Sequence, residues 1–198
     1  MNNTMNWQAF QENPSIIQEK YHERLRTVAQ FKITIESVKR YGNYENKARH
    51  AVALFAKVFN MPQFKDKVLH FTWDDDLTFA DSSGLTNPQV FNKLISGPEI
   101  ANTGLSYHAH INLRVYGKIL PFLYPILFTS PDNNLINTKW DFIKSSTLPE
   151  LAGHYAHEYC HCLGFEHDFD ETDRRAFSVP YSIGNIVTML SKKYCLMV

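Results

Sequence analysis

The stretch His157-Glu158-Tyr159-Cys160-His161-Cys162-Leu163-Gly164-Phe165-Glu166-His167 sets three histidines, a glutamate and a glycine at intervals that suit one geometry. Residues four apart on an α-helix share a face, so His157 and His161 direct their imidazoles at a common point. Gly164 follows three residues later, where glycine takes the left-handed conformation that ends a helix and turns the chain back. That reversal lets His167 supply a third nitrogen. Three neutral imidazoles leave the fourth tetrahedral position of a zinc ion open for water, as in a catalytic site; a structural site is closed by a fourth protein ligand. Glu158, rotated about 100° around the helix from His157, flanks the metal without binding it. From there it can take a proton from metal-activated water and later deliver it to a leaving amine. The chemistry implied is hydrolysis of an amide bond.

These residues resemble the long motif of the metzincin clan of zinc metallopeptidases, His-Glu-x-x-His-x-x-Gly-x-x-His, at all five fixed positions. The resemblance implies Zn2+ held by His157, His161 and His167, with Glu158 as general base and acid and Gly164 as the helix-ending turn. It implies an α/β (α+β) zincin-like catalytic domain, a mixed twisted sheet with a backing helix, an active-site helix and a C-terminal helix. Asp168 resembles the aspartate that follows the third histidine in the adamalysin branch. The clan also has a methionine-containing turn beneath the zinc. The nearest segment here is Ser178-Val179-Pro180-Tyr181, with proline near the methionine position, and the next methionine, Met189, falls in an expected helix. Tyr181 is either a switch-like tyrosine reaching toward the metal or a tyrosine packed in a turn.

The reading that follows is a zinc metallopeptidase acting on proteins or peptides, with an endopeptidase favoured over an exopeptidase. The alternative is an inactive zinc-binding interaction module of the same fold. Glu158 speaks against the alternative, because a structural zinc needs no general base. At 198 residues and 44% hydrophobic content the chain can bury a substantial core. Its 20 basic residues balance 20 acidic ones, which argues against nucleic acid or an anionic membrane as a partner. Residues 1–14 lack the apolar core and cleavage site of a secretory signal, and no apolar run reaches the roughly 20 residues that span a bilayer. A soluble protein is expected, cytoplasmic or exported without a cleaved signal. Composition sets neither its compartment nor its oligomeric state.

Two segments are expected, an N-terminal helical extension over 1–30 and a catalytic domain over 31–198. Pro14 to Gln30 reads as an amphipathic helix and Phe31 to Val38 as a strand. Glu45 to Phe59, with Ala48, Val52, Phe55 and Phe59 on one face, reads as a long helix packed on the sheet. Val68 to Trp73 is expected to be a second strand, Asn87 to Ile95 a short helix ending near Gly97-Pro98, and His110 to Tyr116 an exposed or edge strand. Tyr124 to Phe128 is a further strand and the candidate edge for an extended substrate. The motif helix runs from Leu148-Pro149-Glu150 to about Leu163, and Ser182 to Tyr194 forms the closing helix.

Other residues carry less. His154 lies on the stripe of His157 and His161 and could replace a ligand, although a role at the rim or behind the ligands suits it better. His108 and His110 could share a metal but read more simply as surface histidines. Asp74-Asp75-Asp76 and the acidic run Glu166, Asp168, Asp170, Glu171 and Asp173 read as solvated turns, without calcium-loop spacing. Cys160 and Cys162 point off the histidine stripe, and Cys195 reads as an idle thiol.

Overall fold

The computed structural model describes residues 30–96, 107–117 and 134–196. The chain divides into two units, Met1–Gln30 and Phe31–Val198, and the described elements lie in the second. The expected helix of Pro14 to Gln30, the Gly97-Pro98 stop and the strand at Tyr124 to Phe128 fall outside the described residues.

Three strands, β1 (Lys32–Lys39), β2 (His108–Tyr116) and β3 (Leu135–Lys139), pair in the order β1-β2-β3, and both pairings are parallel. Parallel neighbours need long crossovers, and α1 (Glu45–Phe59) lies in the first of them. It buries Ala48, Ala51, Val52, Leu54, Phe55, Val58 and Phe59, the apolar stripe expected of an amphipathic helix. After it come α2 (Pro62–Leu69) and α3 (Asn87–Ser96), then α4 (Trp140–Ser145), α5 (Leu148–Cys162), α6 (Asp173–Ala176) and α7 (Val179–Cys195). Phe55 and Phe59 of α1 meet Tyr159 of α5 at centroid distances of 5.6 and 6.1 Å, so the backing helix and the motif helix share one aromatic core.

Three expectations need correction. Val68 to Trp73 is not a strand: Val68 and Leu69 end α2, and Trp73 makes only an isolated antiparallel bridge to Asp76. Pro62 in the first turn and the burial of Phe64 and Val68, four apart, favour a helix over the alternation seen from Val68 onward. His110 to Tyr116 belongs to the middle strand. Its alternation arises because Ala109, Ile111, Leu113 and Val115 are buried on one face while the other face is half-exposed, so it reports a sheet covered on one side. The mixed sheet is also not seen, since the described strands are all parallel.

The motif helix α5 is built at both ends by its own sequence. Thr147 accepts from the backbone N–H of Glu150 at 3.4 Å while the Glu150 carboxylate accepts from the Thr147 N–H at 2.8 Å, a capping box. At the other end Gly164 has φ +78°, the Phe165 N–H donates to the Cys160 carbonyl at 3.0 Å and the Gly164 N–H to the His161 carbonyl at 2.9 Å. These are the two bonds of a Schellman reversal. Along its length α5 packs against α7 at two glycines. A Cβ on Gly153 would lie 1.9 Å from Thr188 Oγ1 and 2.6 Å from the Gly184 carbonyl oxygen, and a Cβ on Gly184 would lie 3.0 Å from the Gly153 carbonyl and 3.2 Å from His157 Cβ.

Because the Gly184 carbonyl is backbone and cannot rotate away, Gly153→Ala should force α5 and α7 apart. We expect a loss of about 1–3 kcal/mol, read as a lower urea midpoint at unchanged slope. A variant as stable as wild type would contradict this helix contact.

Candidate metal centre

His157 and His161 project from α5 and His167 from the loop that follows the Gly164 reversal. One ring nitrogen from each of the three lies within 4.8 Å of the others. His157 Nε2 and His161 Nε2 are 3.2 Å apart. Two ligands on zinc bonds of about 2.05 Å at the tetrahedral angle stand about 3.3 Å apart, so this spacing fits a shared ion. Two of the rings are oriented by their other nitrogen. His161 Nδ1 donates to the Phe165 carbonyl at 2.8 Å and His167 Nδ1 to the Asp168 carbonyl at 2.9 Å. Each bond puts the proton on Nδ1 and leaves a lone pair on Nε2, which in His161 faces His157, the arrangement by which backbone carbonyls fix the tautomer of a metal-binding histidine.

Electrostatics favours the neutral, ligating form. Burial pushes the His157 imidazole far below its ordinary value, and the neighbouring rings of His161, His154 and His167 and the charge of Arg175 push it further. Burial likewise lowers His161, against the Phe165 carbonyl, which raises it. These rings therefore hold their lone pairs free at neutral pH, as metal binding requires. Burial also raises the thiols of Cys160 and Cys162, the latter to about 12, so neither is a thiolate ligand.

Glu158 lies on the same helix with its side chain one-fifth exposed, and its Oε1 is 3.8 Å from His154 Nδ1. The carboxylate is close enough to Tyr116, at the end of β2, that its charge adds to burial in raising that phenol. His154 is not brought into the metal-binding group. Its Nε2 sits 3.2 Å from Thr138 Oγ1 on β3, which accepts a hydrogen bond from the Tyr41 hydroxyl, itself the acceptor from Tyr155, both at 3.1 Å. His154 thus stands beside Glu158 at the head of a buried hydroxyl chain.

Tyr181 reaches the centre from the first turn of α7. Its ring packs edge-on against His157 at 4.6 Å and His167 at 4.8 Å between centroids, and its hydroxyl accepts from Arg175. Pro180 occupies the same first turn and Met189 lies two turns on, 44% exposed, so no methionine sits under the ligands among the described residues. The α7 backbone at Gly184 lies against His157, where an added Cβ would be 3.2 Å from His157 Cβ.

The remaining candidates disperse. His108 Nε2 is 2.7 Å from Thr34 Oγ1 and His110 Nδ1 contacts Glu36, on the half-exposed sheet face, and among the described residues they form no three-ligand group. Asp74 and Asp75 take positive φ in the exposed turn between Trp73 and Asp76. In the acidic run, Asp168 Oδ2 accepts from Thr172 Oγ1 at 3.2 Å and Glu166 Oε2 lies 3.6 Å from His161 Nδ1. Cys195 is exposed at the end of α7. Sequence spacing gave no hint of Thr138, Tyr116 or Arg175, which come from elements other than the motif helix. Among the described residues no helix is long and apolar enough to cross a membrane. No family model, no curated protein and no solved structure matches this chain.

Burial, partly offset by a backbone carbonyl of Asn137, lowers His154 to about 4. An imidazole whose folded value lies below its unfolded value of about 6.5 adds nothing at pH 7. It costs stability progressively as pH falls from about 6.5 to about 4, where only the unfolded chain binds the proton. The metal-free protein should therefore lose up to ~3 kcal/mol across that window on account of this residue. In urea unfolding at pH 7 and pH 4.5, His154→Gln should lose less stability between the two than wild type does. Equal losses would contradict a half-buried, neutral His154.

Proposed function

We propose that this protein is a zinc-dependent peptidase of metzincin type that hydrolyses protein or peptide substrates, more in keeping with internal than with terminal cleavage. The observation that carries the reading is the convergence of three imidazole nitrogens, two of them oriented by backbone carbonyls, beside a carboxylate on the same helix. His157, His161 and His167 would hold the ion. Zinc suits a set of three neutral nitrogens, and when bound it supplies Lewis acidity toward a carbonyl and toward water.

The chain's own residues do the rest. Glu158 takes a proton from attacking water and returns it to the departing amine, as general base and then general acid. His154, held by Thr138, lies beside the carboxylate, its Nδ1 3.8 Å from Glu158 Oε1. Tyr181, whose ring packs on His157 and His167, would steady the oxyanion. The described elements include a strand, a backing helix, two further parallel strands, the motif helix and a closing helix, without the mixed sheet that the resemblance implies. The alternative of an inactive zinc-binding module is less favoured, since no fourth protein ligand joins the group among the described residues and Glu158 lies on the same helix as His157 and His161.

Wild type and Glu158→Gln should bind zinc equally, and only wild type should cut a complex peptide mixture. Cleavage by the variant should be lower by at least ~100-fold, with fragment ends read by mass spectrometry. Equal cutting by both proteins would remove the role assigned to Glu158. Zinc held by both with no cutting by either would favour the inactive module.

A further inference from the structure

His157 and His161 are held by a helix capped at both ends, but His167 comes from an irregular loop between α5 and α6. Something must hold that loop if the third nitrogen is to wait in place. Arg175 touches both sides of the gap. Its Nη1 donates to the carbonyl of Phe169, two residues past His167, at 2.8 Å, and its Nη2 donates to the Tyr181 hydroxyl. The guanidinium carbon lies 5.0 Å from the centre of the Tyr181 ring, which itself packs on His157 and His167. The backbone of Arg175 is tied in the same two directions. Its N–H donates to Thr172 Oγ1 at 3.2 Å, and that hydroxyl donates to Asp168 Oδ2 at 3.2 Å. Its carbonyl accepts from the hydroxyl of Ser178, the residue before α7, at 2.8 Å.

We propose that Arg175 is a positioning residue of the metal centre, clamping the loop that carries His167 to the first turn of α7 so that the third ligand is ordered before the metal arrives. The inference rests on the metal-centre reading. A planar guanidinium presents its two Nη donors in a fixed fork, one to each acceptor, while still stacking on the Tyr181 ring, which accounts for arginine at this point. Its charge works the other way. A cation beside a divalent ion opposes binding, as the lowering of His157 by Arg175 already indicates for a proton. Clamp and charge therefore predict opposite signs, and substitution separates them.

The experiment measures apparent zinc affinity by chelator competition, together with the visible spectrum of the cobalt-loaded protein, for wild type, Arg175→Met, Arg175→Lys and Tyr181→Phe. Supporting groups behind metal ligands commonly contribute about 10–100-fold in affinity. Arg175→Met should bind zinc about 10–100-fold more weakly, with an altered cobalt spectrum. Arg175→Lys should be nearly as weak, since it keeps the charge but loses one arm of the clamp, and Tyr181→Phe should lose less. If Arg175→Met does not fold, Arg175→Lys carries the test, its metal-free thermal melt reporting the fold. Zinc bound as tightly as in wild type, or more tightly, by the Met and Lys variants would overturn the clamp while leaving the metal centre intact. Failure of wild type to bind zinc would overturn both.

Discussion

Gly153 of α5 packs against the Gly184 backbone and the Thr188 side chain of α7, and the centre depends on that contact. At this separation His157 Cβ comes within reach of the α7 backbone, and the first turn of α7 lays the Tyr181 ring against two ligand rings. A methyl group on either glycine would meet a backbone carbonyl that has nowhere to go. The two helices thus act as one support, which also carries the attachment of Arg175 through Tyr181. At Gly184 the α7 backbone thus packs directly on His157.

Desolvation is the leading electrostatic cause at His154, His157 and His161 alike, and it acts on each in the same direction. The effect on function differs with position. For His157 and His161 a neutral ring is a free lone pair. For His154 a neutral ring is a fixed piece of scaffold, set between Thr138 on β3 and Glu158. The sheet therefore enters the site indirectly, through the ends of β2 and β3, where Tyr116 and Thr138 stand nearest to the carboxylate and to its supporting imidazole. Ligands commonly gather at the carboxyl ends of parallel strands, and Glu158 lies at such an end.

Local and periodic features of this chain were legible in its sequence. The spacing of His157, His161, Gly164 and His167 anticipated a helix, a left-handed reversal and a returning histidine, and the apolar stripe of Glu45 to Phe59 matched α1. What could not be read depended on neighbours distant in the chain. Val68 to Trp73 alternates like a strand, yet burial of Phe64 and Val68 draws its start into a helix. β3 escaped notice because it buries Asn137 and Thr138 beside Ile136, so no period of two survives in its sequence. The alternation of β2 revealed that one face is covered but not that both edges are paired. Arg175 belongs to no motif, and its role comes from two acceptors that only the fold brings together.

The most direct test of the central claim is zinc K-edge X-ray absorption on the protein loaded with one equivalent of metal. The account predicts about three imidazole nitrogens at about 2.0–2.1 Å and one further oxygen or nitrogen at a similar distance, with imidazole outer-shell scattering. A sulfur shell at about 2.3 Å, or a fourth protein imidazole in place of the exchangeable ligand, would contradict an open three-histidine site.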